Sequence, residues 1–504
     1  MPTVLNRVAA GLALATAAVL TFAPAASAAP APAASGIHVA GKPDKPAKPG
    51  KPDKPGKPGK PAKPGKSDAT VTTPDGRVFI TDKQGRALQL RGYNAAKYVH
   101  DRLNPADIET MADQGFNFLR LVVQWQYFEP EQGQYDQSYF DYVDSVLDAA
   151  DREGVHVMLD MHQDVYGPVF GASGAPEWAT RTDGLPFEDD PANWFNNYFQ
   201  PAVMRAFTHL YNDADLQRAQ QDLWTEVAGA FNEHESLLGY DLFNEPFGEF
   251  IEEDGGDWVT ASARIESTQI SDMYDRLIPA IRSVDDDSWI FVEPTVLVGY
   301  GVPTQLRSFD DPRDGKARLG YAPHFYNTGV EEGGDWTQDD FVVNYEAAIS
   351  AYPTANGMPM IVGEWGVPNS RTPGNAALVA AQVSAMERFA SGWAIWYYCA
   401  SDGGGYCAMN GDGGAAPGNE PAYGPYARAI EGVPGAEQFD AATGTYTVTF
   451  TAGAGQSEIW VPQSTYAKGA KVSITGGKAH YNAKKQLLHI TAKPGAKVTL
   501  TLTR

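Results

Sequence analysis

Cysteine is nearly absent: the 504-residue chain has two, Cys399 and Cys407. That excludes a cysteine-dense scaffold stapled by many bridges. No histidine sits at ligand spacing beside them, so neither reads as part of a metal site. They are left as a local disulfide or as two thiols. Beyond residue 22 no apolar run is long enough to span a bilayer. No strand-like run leads into a phosphate-cradling glycine motif, which removes the main support for a doubly wound nucleotide-binding sheet. Positive charge is scarce through the body. The net charge is −23, yet residues 1–66 carry +8 and residues 437–504 carry +5, so the segment between them carries −36. Such a body repels phosphates and argues against a nucleic-acid partner; its plain use is solubility. With 43% hydrophobic and 20% charged residues, the chain as a whole has globular composition.

What is present begins with an export pattern. Arg7 precedes an apolar run over residues 8–22, and Ala26-Ser27-Ala28 fits a small-residue cleavage site. Residues 1–28 are therefore expected to be a signal peptide cut near Ala28, giving a secreted protein in which a Cys399–Cys407 bond would persist. Residues 29–69 are expected to form a disordered linker, in which lysine recurs at every third position from Lys42 to Lys63 beside proline. Polyproline II has three residues per turn, so the lysines would line one side. This segment serves either as a stiff spacer or as a tether to an anionic surface such as cell-wall polymer or anionic lipid.

Over residues 70–435 short apolar runs alternate with longer amphipathic ones. Strands are predicted at 88–92, 118–123, 155–161, 238–243, 289–293, 319–325, 360–364 and 393–398. Helices are predicted between most of them, including 139–152, 222–234 and 267–283. This alternation predicts an α/β fold, a (β/α)8 TIM barrel. Long aromatic stretches at 163–217 and 247–258 would emerge at the C-terminal face of that barrel and shape substrate choice. Residues 436–504 change to short alternating runs separated by turns, which predicts a small C-terminal β-sandwich with an accessory role.

The polar residues are placed tellingly. Arg120, His162, Asn244, Glu245, His324, Tyr326, Glu364 and Trp396 all fall at or near the C-terminal ends of predicted strands. A barrel turns those ends into one bowl. Hydrolysis of a glycosidic bond needs two carboxyl groups flanking the anomeric carbon, one protonated and one ionised. Arg120 and Tyr326 can donate hydrogen bonds to one carboxylate and favour its charged form. Asn244 can bind the adjacent sugar hydroxyl, and Trp396 offers a flat face to a sugar ring. Glu293 also ends a strand and is an alternative acid, with a structural or binding role preferred. No metal or organic cofactor is expected, because two carboxyl groups suffice for the reaction.

Asn244-Glu245-Pro246, closing Tyr240-Asp241-Leu242-Phe243, resembles the signature of glycoside hydrolase family five. Gly363-Glu364-Trp365-Gly366 resembles that family's nucleophile strand, and Arg120, His162, the His324-x-Tyr326 pair and Trp396 follow in the family's order. The resemblance spans about residues 70–435 and implies retention of configuration, with Glu245 as acid/base and Glu364 as nucleophile. Within the family, Arg91-Gly92-Tyr93-Asn94 with Lys97, Leu159-Asp160-Met161-His162-Gln163-Asp164, and Pro176-Glu177-Trp178 with its aromatic sequel resemble endoglycoceramidases. That resemblance implies that Lys97 and Asp164 contact the glucose of a glycosphingolipid headgroup, with Gln163 assisting, and that the bond cut joins oligosaccharide to ceramide. Another β-glycosidase of the family (an endo-β-glucanase or steryl-β-glucosidase) and a non-catalytic glycan- or lipid-binding protein are the alternatives. Glycan length, the sugar next to the lipid, any activator and oligomeric state have no signature in the sequence.

Overall fold

The computed structural model describes residues 70–191, 193–401 and 404–504. The expected signal peptide and Lys-Pro linker lie outside the described residues. Eight strand positions form one parallel sheet, in the order Leu90–Ala95, Phe118–Val123, His156–Met161, Leu237–Asp241, Trp289–Val292, Leu319–Tyr321 with His324–Phe325, Ile361–Trp365 and Gly392–Ile395. The eighth strand pairs in parallel with the first. Strand six is split at Ala322-Pro323: its first half pairs with strand five and its second with strand seven, and a parallel bridge joins Tyr321 to Met360. Proline has no N–H to give the ladder, so the break falls where the sequence dictates. The circuit is closed, and the architecture is a TIM barrel. Its strands are apolar on both sides because helices cover the outside and side chains fill the inside. The helix Gln137–Glu153 is typical: Asp136 caps its first turn and Gly154, at φ 68°, ends it.

Two stretches differ from their sequence reading. Residues 163–217 are not only loop. They wind through short 3-10 turns into the helix Pro201–Asn212, and Ala214–Phe231 follows after a single residue. Pro201 sits at the helix start, where its missing N–H costs nothing. The expected first strand at 88–92 is two strands: Leu90–Ala95 belongs to the barrel, while Ala87–Leu88 turns away into the sandwich.

The sandwich has a five-stranded sheet, ordered Gly477–Asn482, Leu487–Ala492, Gln456–Trp460, Tyr426–Ile430 and Ala87–Leu88. Facing it are Gly432–Asp440, Thr445–Ala452, Lys497–Thr503 and Lys471–Thr475. Three of these strands, Ala87–Leu88, Tyr426–Ile430 and Gly432–Asp440, begin before residue 436, so the sheets reach back across that boundary. The sandwich closes the N-terminal end of the barrel. Ile80, Leu88 and Ala429 join Leu90, Phe118, Met158, Leu238, Trp289 and Ile361 in one buried apolar layer. Beside it Trp460 packs on Gly115, where an added Cβ would lie 2.1 Å from the indole, and Tyr426 donates to the Gly115 carbonyl at 2.7 Å. Among the described residues no helix is long and apolar enough to cross a membrane.

Candidate active site

Every barrel strand sends a polar or aromatic side chain into the C-terminal bowl. Arg120, from strand two, is fully buried at its centre. Its Nη1 donates to Glu364 Oε1 at 2.7 Å and to Asn94 Oδ1 at 3.1 Å. Its Nη2 donates to Glu293 Oε1 at 2.7 Å and Asn244 Oδ1 at 2.9 Å, and Nε donates to Asp241 Oδ2 at 2.9 Å. Asp160 Oδ2 lies 3.0 Å from Nη1. One guanidinium thus joins strands one, two, three, four, five and seven. A planar fork of donors suits this task as a flexible ammonium could not.

Glu364 also accepts from Tyr326: the phenol donates to Oε2 at 2.9 Å. Glu245 stands opposite. One of its oxygens, one of Glu364 and His324 Nδ1 all lie within 4.8 Å of one another. His324 Nδ1 is 2.7 Å from Glu245 Oε1. Burial pushes the Glu245 carboxyl up; the His324 hydrogen bond opposes this and the nearby Glu364 adds to it. The Glu245 backbone is left-handed, at φ 44°. Such a conformation in a side-chain-bearing residue persists only when its surroundings hold it. Here Glu293 Oε2 accepts the Glu245 N–H at 2.8 Å, and Gln163 Nε2 donates to the Glu245 carbonyl at 2.9 Å. Glu293 is therefore a brace. Burial raises its carboxyl, but His324, Arg120 and the Glu245 amide overcome that and hold it below the usual range. That is the wrong direction for a proton donor.

His162 lies between Asp160 (Nδ1 to Oδ2, 2.7 Å) and Asp164 (Nε2 to Oδ2, 3.1 Å). Its ring stacks on Trp396 with centroids 5.7 Å apart. Lys97 pairs with Asp164, and its Nζ is 5.1 Å from the Trp396 ring centre. Lys97, His162, Asp164 and Trp396 therefore form one wall beside the two glutamates. Asn244 uses one amide hydrogen on the Gln163 carbonyl at 2.9 Å, which leaves its second for a ligand. Gln163 differs from expectation. Its amide is spent on Asn244, Glu245 and the Tyr166 N–H, so it shapes the backbone under the acid rather than facing a sugar.

Cys399 and Cys407 form a disulfide just beyond strand eight. On another side of the bowl the two insertions meet in an aromatic wall. Ring centroids run from Phe195 to Tyr300 at 5.1 Å, Tyr300 to Trp258 at 5.5 Å, Trp258 to Phe199 at 5.6 Å and Phe199 to Phe250 at 5.8 Å. Trp194, Ile251 and Val259 are exposed along it. Sequence reading passed over Asp160 and Asp241 as charged groups. The signal was there: each is a lone acid inside an apolar strand, and Asp160 is two residues from His162, hence on its side of the strand.

Three kinds of likeness to known proteins agree with this geometry. Residues 81–402 match the model of "Cellulase (glycosyl hydrolase family 5)", and residues 425–502 match that of the "Glycoside hydrolase family 5 C-terminal domain". The endoglycoceramidase of Cyanea nozakii is 30% identical over 218 residues, which is 39% of this chain and 43% of that protein; the match thus spans less than half of that relative's length. Endoglycoceramidase I of Rhodococcus hoagii is 25% identical over 86% of this chain and 88% of its own. Among solved structures, endo-glycoceramidase II from Rhodococcus sp. in an iminocyclitol complex is 31% identical, with a TM-score of 0.74 over 84% of this chain and 99% of that one. Its ganglioside GM3 complex gives a TM-score of 0.76 at 29% identity, over 85% of this chain and 99% of that one. With a family model covering its whole barrel and a second covering its sandwich, the chain belongs to glycosyl hydrolase family 5.

Proposed function

We propose that this chain is a secreted, retaining endo-β-glycosidase that frees the oligosaccharide of glycosphingolipids from ceramide. The observation that carries the chemistry is the close pairing of Glu245 and Glu364, with oxygens within 4.8 Å. Retaining pairs stand about 5–5.5 Å apart, whereas inverting pairs need about 6.5–9.5 Å to admit a water. Their surroundings supply opposite roles. Arg120 and Tyr326 donate to Glu364, which suits an anionic nucleophile; burial, with Glu364 nearby, raises the Glu245 carboxyl above its ordinary value, which suits an acid. In the first step Glu364 attacks the anomeric carbon while Glu245 protonates the departing ceramide oxygen, giving a glycosyl-enzyme and free ceramide. In the second step Glu245 removes a proton from water, water attacks the same carbon and Glu364 leaves. Lys97, Asp164 and the spare Asn244 hydrogen are arranged to hold the sugar, and Trp396 to lie against its C–H face. The endoglycoceramidases among the relatives, and the aromatic wall beside a polar slot, support a lipid aglycone. The Cys399–Cys407 bond supports export.

Incubation with lactosylceramide or a ganglioside, set against soluble β-glucan, tests the substrate. Intact oligosaccharide and ceramide are the expected products; turnover of glucan alone would overturn the lipid assignment. N-terminal sequencing of protein recovered outside the cell should begin near Ala29.

A further inference from the structure

Two carboxyl groups complete the proposed reaction, yet a third, half-buried acid overlooks them. Glu331 closes the short helix Thr328–Glu331, on the same connection as Tyr326. Its N–H donates to the Asn327 carbonyl at 2.9 Å, and the Asn327 side chain caps the turn by accepting the Val330 N–H at 3.0 Å. Its side chain therefore has a fixed base. The carboxyl Oε1 accepts a hydrogen bond from the Tyr406 hydroxyl. Tyr406 arrives from beyond strand eight, next to the disulfide-bonded Cys407, and its carbonyl accepts the Tyr397 N–H at 2.9 Å. The Tyr406 ring meets the Tyr326 ring edge-on, with centroids 6.2 Å apart and planes at 81°. Tyr326 in turn donates to Glu364. Gly366, just past the nucleophile strand, makes room: an added Cβ would lie 2.7 Å from the Trp396 carbonyl and 3.7 Å from the Tyr406 ring.

The charge around Glu331 is one-sided. Glu245, Glu364 and Asp164 act on it, and the phenols of Tyr300, Tyr326 and Tyr406 feel it or bond it. Among the described residues no cation pairs with it. Burial first, then those three acids, push its carboxyl up to about 8. It can therefore hold Tyr406 without adding a further negative charge beside the reacting centre.

The geometry points to Glu331 and Tyr406 as a positioning pair for the nucleophilic step, which clamps the Tyr326 ring so that its hydroxyl stays on Glu364 Oε2. The inference rests on the proposed retaining reaction. Tyr326 stands at the end of a two-residue strand segment, His324–Phe325, so the ladder does little to fix its ring. Small misplacements at a reacting oxygen are expensive, since a 1 Å error is worth roughly a hundredfold in rate.

The test uses the full chain, a soluble aryl β-lactoside, and a 2-deoxy-2-fluoro glycoside that traps the glycosyl-enzyme. Tyr406→Phe keeps the ring and removes the clamp; Glu331→Ala removes its anchor. Both should slow trapping and lower kcat about tenfold, with KM moved less than about twofold. Glu331→Gln, a neutral isostere, should stay within about threefold of the unaltered enzyme, because the anchor works uncharged. Melting temperatures of all three report folding separately. Trapping by Tyr406→Phe within twofold of the unaltered enzyme overturns the inference, whatever its melting temperature. So does a Glu331→Gln defect as deep as that of Glu331→Ala. If Glu331→Ala does not fold, the two conservative variants decide. An unaltered enzyme that is never trapped removes the retaining reading itself and this inference with it, a result separable from failure of the variants alone.

Discussion

At their N-terminal ends the barrel strands press Leu90, Phe118, Met158, Leu238 and Ile361 against Ile80, Leu88 and Ala429 from the sandwich side. At their C-terminal ends the same strands surround Arg120 with Asp160, Asp241, Glu293 and Glu364. One end is apolar and closed; the other is charged, hydrogen-bonded and open to a substrate. Burying an ion cluster costs desolvation that its mutual attraction need not recover. The apolar end, by contrast, stabilises by about 25 cal/mol for each Å² removed from water. Stability is concentrated at one mouth of the barrel, and the other is free to hold a charge arrangement chosen for chemistry.

Substitutions at the two ends should separate these roles. The largest effect belongs to Glu364→Gln, which should lower kcat by about 10³-fold or more while leaving thermal melting nearly unchanged. A loss under about tenfold removes the nucleophile assignment. Arg120→Leu breaks the separation, because it strips the shared partner from several buried carboxylates. It should cost about 3–5 kcal/mol in chemical denaturation and abolish turnover together. Stability close to that of the unaltered protein would show that the cluster is not held by its cation. At the opposite mouth Leu88→Ala should cost about 2–4 kcal/mol and leave kcat on an aryl glycoside within twofold. A matching fall in kcat would mean that the ends are coupled. The smallest effect is a slope with pH. Burial disfavours charge on His162, but Asp160 and Asp164 outweigh it and push its pKa up to about 9. The folded state then holds a proton that the unfolded chain releases near its ordinary value of about 6.5. The stability from this group is complete below about 6.5 and disappears as pH rises through about 9. Melting temperature should fall across that window, and the fall should be shallower in His162→Gln; equal slopes would deny the linkage.

Much of the working mouth was legible in the sequence because a barrel strand delivers its last residue to a known place. Glu245, Glu364, Arg120, His162, His324 and Tyr326 needed only strand ends and local motifs to be brought together. What was hidden depends on long-range approach. Tyr406 meets Glu331 across two connections that share no pattern, so neither residue stood out. Gln163 looked like a sugar ligand because the family resemblance gives that role to Asp164 beside it, and only the backbone path of Glu245 reveals what consumes its amide. The splitting of 88–92 between two sheets was likewise invisible, since Leu88 and Leu90 are both buried and apolar and differ only in which partner covers them. The helix at Pro201–Asn212 sat inside a stretch whose glycines, prolines and aromatics upstream read as loop.

The apolar closure of the barrel floor bears on how such a protein can be cut and recombined. The border between the two family models near residue 425 invites a free catalytic barrel ending there. That fragment would lose Ala429 and Trp460 and keep Ile80, Leu88 and Gly115 facing water, an exposed greasy floor that favours aggregation. The same dependence runs backwards, because the sandwich borrows Ala87–Leu88 from ahead of the barrel and cannot be transplanted as a contiguous piece. The two parts interlace in sequence, and a chimera that exchanges the sandwich must exchange residues 78–88 with it.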